Sequence, residues 1–373
     1  MNDLADLIRQ LVAIESVNPD LVAAGRGEAE IATFVAQWLR DAGAEVTVVE
    51  PVPGRPSVVG VVRGTGGGRS LMLNAHMDTV GEGGMKNAFA PELRDGRVYG
   101  RGAYDMKGSL AAIMMCARRA TGTRLKGDLI ITAVADEEVA STGTSAVLEK
   151  FRADVAIVTE PTELRLCLAH KGFAWVEVET SGIAAHGSRA DLGVDAIAEM
   201  GEILSGVREL DLRLRAGARH PLLGTGSVHL SVIEGGREMS TYPERCVARL
   251  ERRTVPGEDG ATAVREIEQL AAGRRASVRL MLERTPSELD PGHALTTAVA
   301  EAAGQPDQIG VAYWMDTALL NAAGIPTLAY GPSGGGEHAD VEWVEVASVA
   351  RCADVYMEAA RILSEERTWF PNA

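Results

Sequence analysis

The sequence predicts an α/β protein built as one open-sheet domain interrupted by a smaller antiparallel one. Three observations carry this reading. Short apolar or β-branched runs alternate with helical runs up to about residue 172, strict apolar–polar alternation takes over from 173, and the first texture returns from about 290. A chain of 373 residues exceeds the size of a single domain, taken as roughly 150 residues, so two or three domains with substantial cores are expected from length alone.

Helical apolar spacing is expected over residues 2–15 and 26–42, the second through Ile31, Phe34, Val35 and Trp38, with Gly43 as its stop. Strands follow at 46–49, 58–62 and 71–74, separated by the turn-rich PVPGRP and GTGGG. After a loop over 81–97, helix 107–120, strand 129–134, helix 142–151 and strand 155–159 alternate, which indicates a sheet flanked by helices. AWVEVETSG then opens the second texture, followed by helix 194–209, strands 226–234 and 244–252, helix 260–272 and strand 277–284. That order is βαββαβ, a ferredoxin-like split unit. Helix 293–303, a strand near 309–314, helix 316–323, strand 326–330 and a terminal helix of about 345–365 complete the chain. The expected division is therefore 1–172 with 288–373 for the first domain and 173–287 for the inserted one.

Composition narrows the function. Apolar residues make up 46% and charged residues 24%, an ordinary globular balance that argues against extended disorder. With 52 acidic against 37 basic residues the net charge is −15, which opposes binding to phosphate backbones, so no nucleic-acid partner is expected. No window approaches the roughly 18 uninterrupted apolar residues of a membrane span, and MNDLADLIRQ has no basic stretch followed by an apolar one. No membrane partner is expected, and the expected location is the cytoplasm. Cys116, Cys167, Cys246 and Cys352 are scattered, with no CxxC pair, and read as reduced, mostly buried thiols.

The residues with chemical potential are histidines and carboxylates beyond strand ends or in glycine-rich loops, where open α/β sheets place their sites. His76 and Asp78 follow LMLNA, and an HxD spacing lets a carboxylate orient a metal-binding imidazole. Taken alone, it also fits a polar surface turn. Asp105 in YGRGAYDMKG offers two oxygens to two cations, or else caps the helix starting near Lys107. Glu137 and Glu138 follow LIITAVA, so one can bind metal while the other faces a reacting water; an exposed acidic turn is the plain alternative. Glu160, between VAIVT and Pro161, offers another oxygen, and His338 lies in the loop GPSGGGEHADVEWV. His170, His220, His229 and His293 need no function. Two histidines and three carboxylates in one α/β portion suit Zn²⁺, with Mn²⁺ or Co²⁺ as alternatives, better than thiol-seeking or all-oxygen ions.

LNAHMDTV, DGRVYGRGAYDMKG, ADEEVASTGT, VTEPT, AHKGFAWVEVETSGIAAHGSRADLGVDAI, ERRTVPGE and GPSGGGEHADVE occur in that order along essentially the whole chain. Together they resemble the zinc-dependent hydrolase family of acetylornithine deacetylase, succinyl-diaminopimelate desuccinylase, glutamate carboxypeptidase and aminoacylase. The resemblance implies two zinc ions per subunit, bridged by Asp105, with His76 and Glu160 on one and Glu138 and His338 on the other. It implies Asp78 as the residue orienting His76, Glu137 as general base and later acid, and a cis peptide at Asp105–Met106. It also implies that the inserted domain is a lid and the contact surface of a homodimer. His186 in AAHGSRADLG then matches an oxyanion-stabilising histidine that reaches an active site, and Arg253 an arginine for the substrate carboxylate.

Ser240 and Ser57 depart from the asparagines frequent at those places. The wording of ERRTVPGE and STYP is closest to acetylornithine-deacetylase-like sequences, which implies a small N-acyl amino acid as substrate. A dipeptidase or carboxypeptidase uses the same chemistry, and a non-catalytic relative that serves as a binding module is the reading from another class.

Overall fold

A computed structural model describes residues 2–365, so the end of the expected 288–373 segment lies outside the described residues. The chain divides into two units, one of Met1–Leu168, Leu289–Ile309 and Met315–Ala373, the other of Ala169–Glu288 and Gly310–Trp314.

In the first unit the strands lie in the order Glu45–Val49, Ser57–Val62, Leu129–Val134, Leu71–His76, Val155–Val158 and Thr327–Ala329. The last four run parallel to one another, and the first two pair antiparallel at the edge. All six residues of Ser57–Val62, Leu71–His76 and Leu129–Val134 are buried, which explains why these strands read as continuous apolar runs rather than alternating ones. Register sets His76 level with Val134, and Val158 level with both Asn74 and Ala329. The loops after four parallel strands therefore leave from one edge.

Helix Gly108–Thr121 buries nearly its whole length, including Leu110, Ile113 and Met114, and packs against Val346–Glu365. A turn of wide helix, Ala103–Lys107, precedes it and contains the cis peptide Asp105–Met106. Asp105 makes no capping bond to this helix.

Residues 81–97, expected as loop, contain part of a small sheet. Its strands are Gly334–Gly335, Trp343–Glu345, Arg97–Tyr99 and Glu92–Arg94, in that order. Each is at most three residues long, too short to show alternation. Leu166–His170 is a further strand missed in a continuous apolar run, and the strand expected at 309–314 is confined to Gln308–Val311.

The second unit has the element order Gly172–Ser181, Ala196–Ala216, Ser227–Gly235, Arg245–Thr254, Gly260–Ala271 and Ala276–Arg284. Its four strands are all antiparallel, in the order Ser227–Gly235, Arg245–Thr254, Gly172–Ser181, Ala276–Arg284. Val176, Val178 and Leu250 meet Ile203, Val207 and Ile267 of the helices in one core, while Trp175, Leu230, Val232 and Met281 stay exposed. Asp195 starts the first helix by accepting from Ile197 and Ala198 N–H. That helix outruns its expected end at 209 because Leu210 still buries against the sheet.

The four cysteines are free and buried. No helix among the described residues is long and apolar enough to cross a membrane.

Candidate metal centre

The parallel strands deliver the site. His76 is the last residue of its strand rather than the first beyond it, Glu137 and Glu138 follow Leu129–Val134, and Glu160 follows Val155–Val158. Asp105 comes from the wide turn before the buried helix, and His338 from the loop between Gly334–Gly335 and Trp343–Glu345. Gly336 enters that loop at φ 83, where a Cβ would collide with the Val341 carbonyl.

The two oxygens of Asp105 face two different histidines. Oδ1 is 3.0 Å from His76 Nε2, and Oδ2 is 3.5 Å from His338 Nε2. Each histidine has a second carboxylate, Glu160 at 3.6 Å from His76 and Glu138 at 3.2 Å from His338. Donor atoms of His76, Asp105 and Glu138, and likewise those of His76, Glu137 and Glu160, lie within 4.8 Å of one another.

Electrostatics make the cluster deficient in positive charge. Glu160 is pushed up to about 8 by burial and by the neighbouring Asp105. Burial and the Glu160 charge carry Glu137 well above the usual carboxylate range, and burial raises Glu138 too. Burial opposes ionisation of Asp105, but hydrogen bonds from His338 and His76 prevail and hold it below its usual value. The hydrogen bonds to Asp105 and Glu138 raise His338 to about 10.

The residues fit divalent metal. Ligand atoms bound 2.0–2.1 Å from a tetrahedral ion stand about 3.3 Å apart, and the spacings above bracket that value. Glu138 Oε1 is buried without a hydrogen-bond partner.

Asp78, fully buried, touches His76 differently from the expected arrangement. His76 Nδ1 lies 2.9 Å from the Asp78 carbonyl oxygen, with carboxylate Oδ1 at 3.6 Å. The carboxylate instead accepts the backbone N–H of Glu137 and Glu138, at 3.1 and 3.2 Å, and the amide of Asn18 at 2.8 Å. Behind it stands a group that sequence reasoning missed. Arg55 holds both oxygens of Glu28 and reaches Asp136, and Asn18 also donates to Asp136. Asp136 has left-handed φ 68 and immediately precedes the two glutamates. Ser57 is buried with its Oγ accepting from Ala135 N–H. Asp316, buried and raised to about 6 by desolvation, accepts from Thr144 at 2.5 Å. Arg55 stands in the turn-rich PVPGRP before SVVGVV, where a charged residue gives no signal of burial.

His186 and Arg253 belong to the second unit. His186 is exposed, and its Nδ1 is 2.8 Å from Ser188 Oγ. Arg253 donates to Glu251 at 2.6 Å and lies over the Phe173 ring. Its neighbour Arg252 is buried between Glu258 and Glu266. Ser240 accepts the Gly187 N–H through its carbonyl.

Residues 72–362 match the family model described as Peptidase family M20/M25/M40. The chain belongs to this family. It is thus a hydrolase of a metal-dependent family acting on amides or peptides. It is 28% identical to the N-formyl-4-amino-5-aminomethyl-2-methylpyrimidine deformylase of Bacillus subtilis, over 88% of this chain and 87% of the relative. The M20 fold recurs in aminopeptidase PepT from Bacillus cereus, with TM-score 0.82 and 20% identity, covering 98% of this chain and 99% of that one. It recurs also in the Bacillus subtilis YXEP protein, described as a dinuclear metal-binding peptidase of the M20 family. There the TM-score is 0.75 and the identity 18%, over 98% of both chains.

Proposed function

We propose that the chain hydrolyses the amide bond of small N-acyl amino acids, as an acetylornithine-deacetylase-like deacylase. The observation that carries this reading is the division of Asp105 between two histidine–glutamate pairs. The deformylase relative supports removal of an acyl group over cleavage between amino acids.

His76 and Glu160 would hold one cation, Glu138 and His338 the other, and Asp105 both. Zinc is the proposed metal, with cobalt or manganese as substitutes. Two such ions, when bound, polarise an amide carbonyl and lower the pKa of water towards neutrality.

Asp78 orients His76 through its carbonyl and fixes Glu137 and Glu138 through their backbone N–H groups. Glu137 takes the proton from the attacking water at its carboxylate and delivers it to the departing nitrogen. Its side chain stands among Glu160, His76 and Glu138, charges that a bound cation rebalances. We assign Arg253 to the substrate carboxylate, which a guanidinium grips through two parallel hydrogen bonds. His186 donates a hydrogen bond to the carbonyl oxygen as negative charge grows there. The second unit is assigned as the lid, with a ferredoxin-like topology, through which two copies form a homodimer.

The test is mass-spectrometric product detection after the zinc- or cobalt-loaded protein meets a pooled panel of N-acyl amino acids and dipeptides. Release of an acyl acid is expected. Cleavage confined to dipeptides moves the assignment to a dipeptidase or carboxypeptidase, and silence with two metals bound favours a binding role.

A further inference from the structure

Asp105 and His338 stand on separate loops, and both loops converge on one buried carboxylate, Glu342. Its Oε1 accepts the backbone N–H of Tyr104 at 2.9 Å and of Asp105 at 3.0 Å. Its Oε2 accepts from Gly102 N–H at 2.9 Å and from Arg101 Nη1 at 2.8 Å. Four donors occupy all the lone-pair sites of the carboxylate. Arg101, only 1% exposed, directs its other donors to loop carbonyls. Nη2 reaches Ala339 at 2.9 Å and Glu82 at 3.4 Å, and Nε reaches Gly81 at 2.9 Å.

One buried ion pair therefore grips the Asp105 backbone on one side and the residue after His338 on the other. Strand pairing brings the two segments close, Trp343 with Tyr99 and Val344 with Val98, but the ladder includes neither Asp105 nor His338. His338 sits at a left-handed φ of 58, outside any repeating hydrogen-bond pattern. His76, by contrast, is held in the ladder opposite Val134.

We propose that the Arg101–Glu342 pair is a positioning clamp that sets the spacing of Asp105 and His338. It thereby governs uptake of the metal ion these two residues share with Glu138, more than uptake of the ion at His76 and Glu160. This rests on the two-cation reading above. Metal ligands tolerate displacements of about 0.2 Å, and loss of a group supporting a ligand typically weakens binding about 10–100-fold. Glu342→Gln keeps the shape, but its amide nitrogen faces two donors where an acceptor is required.

The experiment titrates metal-free protein with cobalt(II) alone, by calorimetry and visible absorption, and compares wild type, His338→Ala and Glu342→Gln. His338→Ala marks the binding event that belongs to its side. Glu342→Gln should weaken that event about 10–100-fold and leave the other within about threefold. An unchanged event, or equal weakening of both, overturns the clamp. Wild-type protein that takes up fewer than two ions overturns the two-cation reading, and the clamp with it. If Glu342→Gln does not fold, Arg101→Lys carries the test, because lysine keeps a cation for Glu342 without a second arm for Ala339. The same selective loss supports the clamp, and its absence overturns it.

Discussion

Replacing Arg55 with Met removes a buried cation paired with three carboxylates, two of them buried, and the size of the effect follows from the surroundings of those two. Arg55 bonds both oxygens of Glu28, at 2.5 and 2.7 Å, and Asp136 at 3.1 Å. Glu28 is fully buried, and burial already raises its pKa above the ordinary 4.5 against the opposing hydrogen bond from Arg55. Without that bond burial acts with less opposition and pushes the carboxyl further towards its protonated form. Removing one partner of a buried ion pair costs about 3–5 kcal/mol. Above pH 4.5 the folded variant holds more of this proton than the unfolded chain does, so its stability falls as pH rises. The wild-type chain, whose Arg55 keeps Glu28 ionised at lower pH, feels this less. Urea unfolding of metal-free protein at pH 5, 6 and 7 reads the difference, with the slope m checked for constancy. The deficit should be about 3–5 kcal/mol at pH 7 and smaller at pH 5. A loss below about 1 kcal/mol, or one equal at pH 5 and 7, refutes the reasoning.

Glu137→Gln should lower kcat by about 10²–10⁴-fold with metal stoichiometry unchanged, and retention of more than about a tenth of kcat removes Glu137 from the base role. Arg253→Lys keeps a charge but not the planar fork, so KM should rise about tenfold for carboxylate-bearing substrates and stay level for a neutral amide; equal rises discount the assignment. His170 is buried and lowered by burial from 6.5 to about 4. Its unfolded form binds the proton first, so it contributes stability above pH 6.5 that is lost as pH falls through 4, about 3 kcal/mol in all. His170→Gln should flatten the stability–pH curve over that window, and an unaltered slope counts against the shift.

The central sheet was legible because its inner strands are buried on both faces and break off abruptly into polar residues. LMLNA ends at His76, LIITAVA runs into Glu137 and Glu138, and VAIVT into Glu160. The small sheet was not legible, since Glu92–Arg94 is wholly exposed and Gly334–Gly335 carries no side chains to form a pattern. Asp78 was legible as a partner of His76, but the choice between its carbonyl and its carboxylate depends on neighbours as distant in sequence as Asn18 and Glu138. Arg55, Glu28 and Asp136 were not legible together because their contacts span 27 to 108 residues.

The buried charges separate into two kinds by what neutralises them. Glu28 and Asp136 share the one charge of Arg55, and Glu342 pairs with Arg101. A guanidinium does not release its proton in a protein, so the cation facing these outer carboxylates is permanent and serves as scaffold. Among the described residues, the basic groups paired with the inner carboxylates Asp105, Glu138 and Glu160 are His76 and His338, with His76 also near Glu137, and imidazoles can give up their protons. Charge there is exchangeable, and an incoming cation can replace the protons that the crowded acids and histidines hold. Fixed cations behind and titratable ones in front hold the same acidic loops by ion pairs that do not titrate while leaving their inner carboxylates with charge that does.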